Sequence, residues 1–257
     1  MTDVLLNERV DHVLVLTLNR LEARNALSPA LINALSDSLR EAADDDGVRA
    51  VVITGAGDKA FCAGMDLRAF SEAREGGSAD MGSFNALMWF NKGGFPKPVV
   101  AAVNGPAVAG GFELVLSCDL VVAADHARFG LAEVKRGLFA AGGGTTLSAR
   151  IPLTIAMELC LTGDVIDAHR AKEIGLVNRV VPGDQLRDAA LELASKVAAN
   201  GPLALQVTKR LLREAALVDP QRGWAGPDDI ALVFGSADAA EGAKAFVEKR
   251  PPQWTGK

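Results

Sequence analysis

Two spatial periods run through the apolar positions of this chain. Short β-branched runs at 12–18, 48–54, 98–103 and 119–124, each bounded by turn residues, predict strands. Between them apolar residues recur at helical spacing. Ser28 is placed to cap a helix with Pro29 at its first position, and Leu31, Ile32, Leu35 and Leu39 line one face of it. Strands alternating with helices predict an α/β fold with parallel strands. Beyond Pro152 the pattern turns helical. It predicts helices over 155–161 (stopped at Gly163), from a cap at Asp167 through Lys172, over 184–199, over 202–217, and over 237–247 ahead of Pro251 and Pro252. Residues 219–229, with Pro220, Gly223, Gly226 and Pro227, predict a linker or long turn.

Composition narrows the partners. The chain has 257 residues, of which 49% are apolar, enough for one large core or a core with an appendage. A net charge of −5 argues against nucleic acid as a partner. Cys62, Cys118 and Cys160 are scattered and without metal-ligand spacing, so reduced structural thiols are expected. His12, His126 and His169 form no ligand set either. The start Met1-Thr2-Asp3-Val4 lacks a secretory pattern, and every apolar stretch is too short to span a bilayer. The expectation is a soluble cytoplasmic protein with no membrane partner.

Two carboxylates change the picture. Glu113 interrupts the apolar run 107–116, and Glu133 follows Phe129-Gly130-Leu131-Ala132 twenty positions later. A carboxylate in such company is costly unless it is paired, hydrogen-bonded or protonated, so the two together point to proton transfer. Two glycine-bearing loops follow two of the strands: 55–66, and 104–113 with Gly110-Gly111 opening an apolar helix. One free N–H from each loop suffices for an oxyanion hole. There is no GxxxxGK[ST], no complete GxGxxG and no GxSxG, which removes the P-loop, dinucleotide and nucleophile-elbow readings.

Taken together, these residues resemble the crotonase superfamily, the enoyl-CoA hydratase/isomerase family. The resemblance runs from 19–27 (NRLEARNAL) through 59–67 (KAFCAGMDL), Asn104-Gly105, Cys118-Asp119, 129–133 (FGLAE), Gly143-Gly144-Thr145, 161–164 (LTGD) and 171–177 (AKEIGLV) to 245–250 (AFVEKR). It implies a spiral of ββα repeats over residues 1–200 and a helical region over 201–257 that assembles homotrimers or homohexamers. It also implies a coenzyme A thioester substrate, coenzyme A being part of the substrate and no separate cofactor or metal being needed. By motif match, the amides of Ala63 and Gly110 form the oxyanion hole, and Glu113 and Glu133 are the hydratase pair.

The chemistry agrees with the resemblance. Hydration of a 2-enoyl thioester needs a base for the water attacking C3 and an acid for C2, and two carboxyls supply both. Glu133 is assigned as acid and Glu113 as base; a coupled pair titrates jointly, so the reverse order stays open. The resemblance further implies substrate contacts at Ala23, Arg24, Ala26, Lys59, Ala63, Gly64, Met65, Asp66, Leu67, Gly110, Leu138, Ala141, Phe246 and Lys249. An acyl pocket is expected from Leu87, Met88, Trp89, Phe90, Leu138 and Phe139, and Arg250 joins Arg24, Lys59 and Lys249 as a candidate phosphate contact. The chain departs from the family pattern at Leu21, where proline is common, and at Ala140-Ala141, where Pro-Gly is common, which alters the pocket wall. The runner-up activities are a Δ3,Δ2-enoyl-CoA isomerase, which needs one carboxylate, and a non-catalytic acyl-CoA binding protein.

Overall fold

The computed structural model describes residues 3–66, 81–218 and 226–257, with main chain alone at 81–85, 246 and 247. Leu67, the Phe246 side chain and residues 219–225 of the expected linker lie outside what is described. Among the described residues nine strands form two sheets. The larger has the order β1 (Leu5–Val10), β2 (Val13–Leu18), β3 (Ala50–Gly55), β4 (Val99–Val103), β6 (Leu120–Ala124) and β9 (Arg179–Val181). Only the β1–β2 hairpin is antiparallel; the other pairs in this sheet are parallel. The smaller sheet joins β5 (Ala107–Val108), β7 (Arg128–Gly130) and β8 (Val165–Asp167).

Side chains alternate across the large sheet and give it two buried faces. Leu16, Leu18, Val51, Ile53, Val99, Ala101, Val103, Val121 and Ala123 face the main core, with Leu31, Leu35 and Leu39 of α1 (Pro29–Asp44). The alternate residues Val13, Val15, Ala50, Val52, Val100, Ala102, Val122 and Ala124 pack against α6 (Leu186–Ala198). That helix presents Leu186, Ala190, Ala194 and Ala198 at every fourth position, three of them small enough for close approach. Continuous β-branched runs follow from burial on both sides.

The remaining helices are α2 (Met81–Asn91), α3 (Gly110–Ser117), α4 (Leu153–Thr162), α5 (Ala168–Glu173), α7 (Pro202–Leu217), α8 (Pro227–Phe234) and α9 (Ala237–Glu248). The expected caps form: Ser28 accepts from the Leu31 amide, Asp167 from the Arg170 amide, and Gly163 ends α4 in the left-handed region. One expectation needs correction. Residues 227–229 open α8 rather than ending a linker, because Pro227 follows the capping Gly226, whose N–H donates to Asp229. Arg210 of α7 ties down the same Asp229.

The C-terminal tail is bound back onto the body. Thr255 and Gly256 amides and the Thr255 hydroxyl donate to the buried Asp238 carboxylate, and Trp254 donates its indole N–H to the Ala199 carbonyl at 2.7 Å. Arg49 donates to the Trp254 carbonyl.

Two substitutions test these local causes. Ser28→Ala removes a cap and lowers stability in urea unfolding by about 1 kcal/mol. Gly111→Ala places a methyl 2.1 Å from the Cys62 carbonyl oxygen, an atom fixed in the backbone. It costs about 2 kcal/mol or more, read as a fall in melting temperature.

Candidate active site

Two strand-end loops lie side by side because their main chains bond to each other. Phe61 and Cys62 amides donate to the Pro106 carbonyl, and the Val108 amide donates to the Cys62 carbonyl at 3.1 Å. Two asparagines fasten the first loop from either side. Asn104 accepts from the Gly55 amide and donates to the Gly57 and Ala60 carbonyls. Buried Asn25 donates to the Ala56 and Ala60 carbonyls. A third strand of backbone runs along 24–27: Leu27 donates to Gly64 at 2.8 Å, and Asp66 donates back to Leu27 at 3.1 Å.

This lattice corrects one member of the expected oxyanion hole. The Ala63 amide donates to the Arg24 carbonyl at 3.1 Å, so it is already satisfied within the protein. The amide that has no acceptor among the described residues is that of Met65, two positions on. It lies 3.6 Å from the point a Cβ on Gly110 would occupy, and the Gly110 nitrogen in turn lies 3.2 Å from the Cβ point of Gly64. Gly110 is the first residue of α3, so its amide has no intrahelical acceptor. The free pair is therefore Met65 and Gly110. Sequence matching missed the register by two because glycine marks the turn but not which neighbouring N–H points outward. Ala109 precedes the pair at φ 49°, ψ −127°, a conformation that costs a non-glycine residue about 1–3 kcal/mol and aims the start of α3.

The same helix carries Glu113 one turn in, and the side chain is buried. Its Oε1 accepts from the Gly144 amide at 2.9 Å. Gly142 has to be glycine, since a Cβ there would stand 2.5 Å from Glu113 Oε2. Burial pushes the Glu113 carboxyl above its ordinary value; the Gly144 and Gly142 backbone pulls it partly back, and the charge of Glu133 pushes it up again. Glu133 sits in a 3-10 turn, Glu133–Arg136, directly after β7. Both its carboxyl oxygens are buried and accept no hydrogen bond from described protein groups. Burial raises its pKa as well, and its own amide and Arg136 offset this only in part. Two carboxyls that feel each other, one gripped by amides and one ungripped, thus share one locality.

The other expected contacts divide. Ala23, Arg24, Ala26, Gly64, Met65 and Asp66 are all drawn to this locality by the paired 24–27 and 63–66 segments. Arg20, which sequence matching passed over, holds them there: it donates to the Ala26 carbonyl at 2.6 Å and to Asp66 at 3.1 Å. Lys59 and Lys249 are exposed and Arg250 is held by Glu241 and Glu248, the former pulled down to about 2 by that guanidinium. Arg250 therefore has two carboxylates of its own chain in place of the expected phosphate. The residues expected for the acyl pocket have different surroundings. Leu87 and Phe90 are core residues, and Trp89 packs edge-on to Phe95 with the Arg40 guanidinium 4.8 Å above its ring. Leu138 and Phe139 are exposed. Met88 and Ala141 instead line a separate cavity behind the Glu113 loop. Cys62 and Cys118 are buried with thiols pushed up to about 12, which leaves them as packing groups. Among the described residues no group of His, Cys, Asp and Glu is gathered for a metal ion, and no helix is long and apolar enough to cross a membrane.

Paired free amides beside two desolvated carboxyls, on a parallel sheet with a helical C-terminal part, define a crotonase-type fold, and comparison with known proteins gives the same result. Residues 8–257 match the enoyl-CoA hydratase/isomerase family, and the chain belongs to that family. It is 41% identical over 254 residues to the enoyl-CoA hydratase EchA19 of Mycobacterium tuberculosis, covering 96% of this chain and 94% of that one. It is 40% identical over 255 residues to the 2,3-dehydroadipyl-CoA hydratase of Escherichia coli, covering 98% and 99%. A crystal structure of an enoyl-CoA hydratase from M. tuberculosis superposes with a TM-score of 0.85 at 44% identity, covering 99% of this chain and all of that one.

Glu133 gives a stability test of this geometry. Its folded pKa lies above the ordinary 4.5, so the folded state holds the proton more tightly than the unfolded state. That contribution is full below about pH 4.5 and is lost as pH rises through the folded value. Glutamine cannot ionise, so Glu133→Gln melts higher than the wild type at pH 8, and the gap narrows toward pH 4.5. An equal gap at both pH values contradicts the burial argument.

Proposed function

We propose that this protein is an enoyl-CoA hydratase: it adds water across the 2,3 double bond of a 2-enoyl-CoA thioester to give a 3-hydroxyacyl-CoA. The observation that carries this reading is the asymmetric carboxyl pair beside two unused amides. Glu113, held by the Gly144 amide, is the ionised member; it takes a proton from water as the water oxygen bonds to C3. Glu133, which accepts no hydrogen bond from another described residue and whose neutral form burial favours, keeps its proton and delivers it to C2 as the π bond breaks. The electron pair passing through the thioester oxygen is met by the Met65 and Gly110 amides, where one donor is worth about 3 kcal/mol. The reaction is redox-neutral and these groups supply its acid, base and anion stabilisation, so the reading requires no metal or redox cofactor.

The names of the relatives support the hydratase reading at identities near 40% over almost the whole chain. The wider reading follows from it. We place the protein in the cytoplasm, in fatty acyl breakdown of the β-oxidation type. Residues 1–200 carry the thioester site, and the helices of 201–257 assemble a homotrimer or a hexamer of two trimers. The exposed Leu212 and Leu217 of α7, Val218 just after it, and Ile230, Leu232 and Phe234 of α8 support an assembly surface there. Lys59, Leu67, Phe246 and Lys249 remain our expected substrate contacts, Lys59 and Lys249 toward the nucleotide phosphates of coenzyme A.

Hydration is read directly as loss of the conjugated-thioester absorbance of crotonyl-CoA or a longer enoyl-CoA. Solvent labelled with heavy oxygen puts label into the product; conversion without label instead identifies an isomerase. Glu113→Gln and Glu133→Gln each lower kcat by about 10²–10⁴ with little change in thioester affinity by calorimetry. Full activity in either variant removes that residue from the mechanism.

A further inference from the structure

Helix α3 carries both the Gly110 amide and Glu113, and it is eight residues long, Gly110–Ser117. The last carbonyls of a helix have no amide of their own to meet, and they hold the negative end of its dipole. In α3 side chains meet them. Arg150 Nη2 donates to the Cys118 carbonyl at 2.6 Å, and Arg213 Nη2 donates to the Ser117 carbonyl at 2.6 Å. The Ser117 hydroxyl turns back to the Glu113 carbonyl at 2.8 Å.

The two guanidiniums differ in what else meets them. Arg213 of α7 pairs with Asp119, as Lys209 does at 2.8 Å, and the Val99 amide of β4 donates to the same carboxylate. Arg150 forms no ion pair with a carboxylate among the described residues. Burial and the like charge of Arg213 press its pKa downward. A cation in such a place carries a desolvation cost, and what answers it here is the C-terminal end of α3.

Arg150 is also continuous with the other grip on this helix. It directly follows the 3-10 turn Gly144–Ala149, whose first amide donates to Glu113 Oε1. One short segment, 144–150, therefore reaches α3 twice. A main-chain donor meets Glu113 in the first turn, and a guanidinium meets the carbonyl of the C-cap. Gly111 packs closely on Cys62 at the opposite end, but a single contact leaves a rod free to turn about it. The direction of the axis needs a second point.

We infer that Arg150, seconded by Arg213, is a positioning residue for the reaction: it clamps the C-terminal end of α3 and so aims the Gly110 amide and the Glu113 carboxyl at the thioester. The inference rests on the hydratase reading and adds to it a residue that acts through α3 and the Gly144 turn without touching substrate.

The test sets Arg150→Met, which removes donor and charge, beside Arg150→Lys, which keeps both. In Arg150→Met kcat for a 2-enoyl-CoA is expected to fall by about ten- to a hundredfold, the scale of a small misplacement of reacting groups, while hexanoyl-CoA affinity by calorimetry changes by no more than about threefold. Arg150→Lys recovers most of the loss. The pH profile of kcat supplies a readout that lost stability alone does not move. Burial raises the Glu113 pKa, the Gly144 and Gly142 backbone lowers it, and Glu133, the titratable group that bears on it, raises it. A loosened Gly144 amide lowers it less, so the acid limb moves to higher pH in Arg150→Met. Full kcat in a variant that merely melts lower overturns the inference. So does a fall in kcat with the acid limb in place and no recovery in Arg150→Lys. Should Arg150→Met fail to fold, Arg213→Gln, which frees the neighbouring Ser117 carbonyl, carries the test through a smaller loss, and full kcat there overturns the inference. Absence of turnover with every enoyl thioester sinks the hydratase reading instead. The clamp is then read from the carbonyl stretching band of bound hexanoyl-CoA labelled with heavy carbon at the thioester. A band moved to lower frequency by the wild type and moved less by Arg150→Met upholds it; one band position in both overturns it.

Discussion

Backbone hydrogen bonding between three chain segments is the constraint on which the site depends. Residues 24–27, 61–66 and 106–109 bond to one another and satisfy one another's carbonyls and amides, with Asn25 and Asn104 filling the remaining valences from the side. A lattice of this kind leaves few amides over, and those left over are fixed in place. The Met65 and Gly110 N–H groups are of this sort: they are directed by the satisfied bonds around them and require no ordering when a substrate arrives, which is the condition for an effective oxyanion hole.

The carboxyls depend on the same framework at one remove. Gly111 packs against Cys62 so closely that α3 cannot rise from the first loop, and this fixes the height at which Glu113 emerges. The Gly144 amide then donates to Glu113, whereas the Glu133 oxygens accept no hydrogen bond from another described residue. Burial raises the pKa of both carboxyls, and the Gly144 amide bonds only Glu113. The difference in their hydrogen bonding is a property of the loops around them.

Much of this was legible in the sequence, and the limits have physical reasons. The parallel core strands, the α1, α4, α5, α7 and α9 helices and the Ser28, Asp167 and Gly163 ends were visible because burial on two faces and capping each leave a local mark in residue type. Glu113 and Glu133 stood out as acids in apolar company. Two kinds of feature were hidden. The choice between the Ala63 and Met65 amides turns on backbone direction, which side-chain identity does not encode in an alanine or a methionine. The placement of Leu87 and Phe90 in the core turns on which face of α2 meets α1 and α3. An apolar helix with little amphipathic contrast does not announce that face. The start of α8 within an apparent linker was masked by Pro227, a residue equally at home in a turn and at a helix start.

The tail's anchorage bears on how the molecule is handled. Asp238 is buried at the start of α9, and its carboxylate is answered by Thr255 and Gly256, a few residues from the chain's last position. Without residues 255–257 that buried acid would lose these donors, beside the Trp254 ring that stands over Gly242. The Lys257 carbonyl accepts from the Asp238 amide as well, so one short stretch of chain serves both the carboxylate and the main chain at the start of α9.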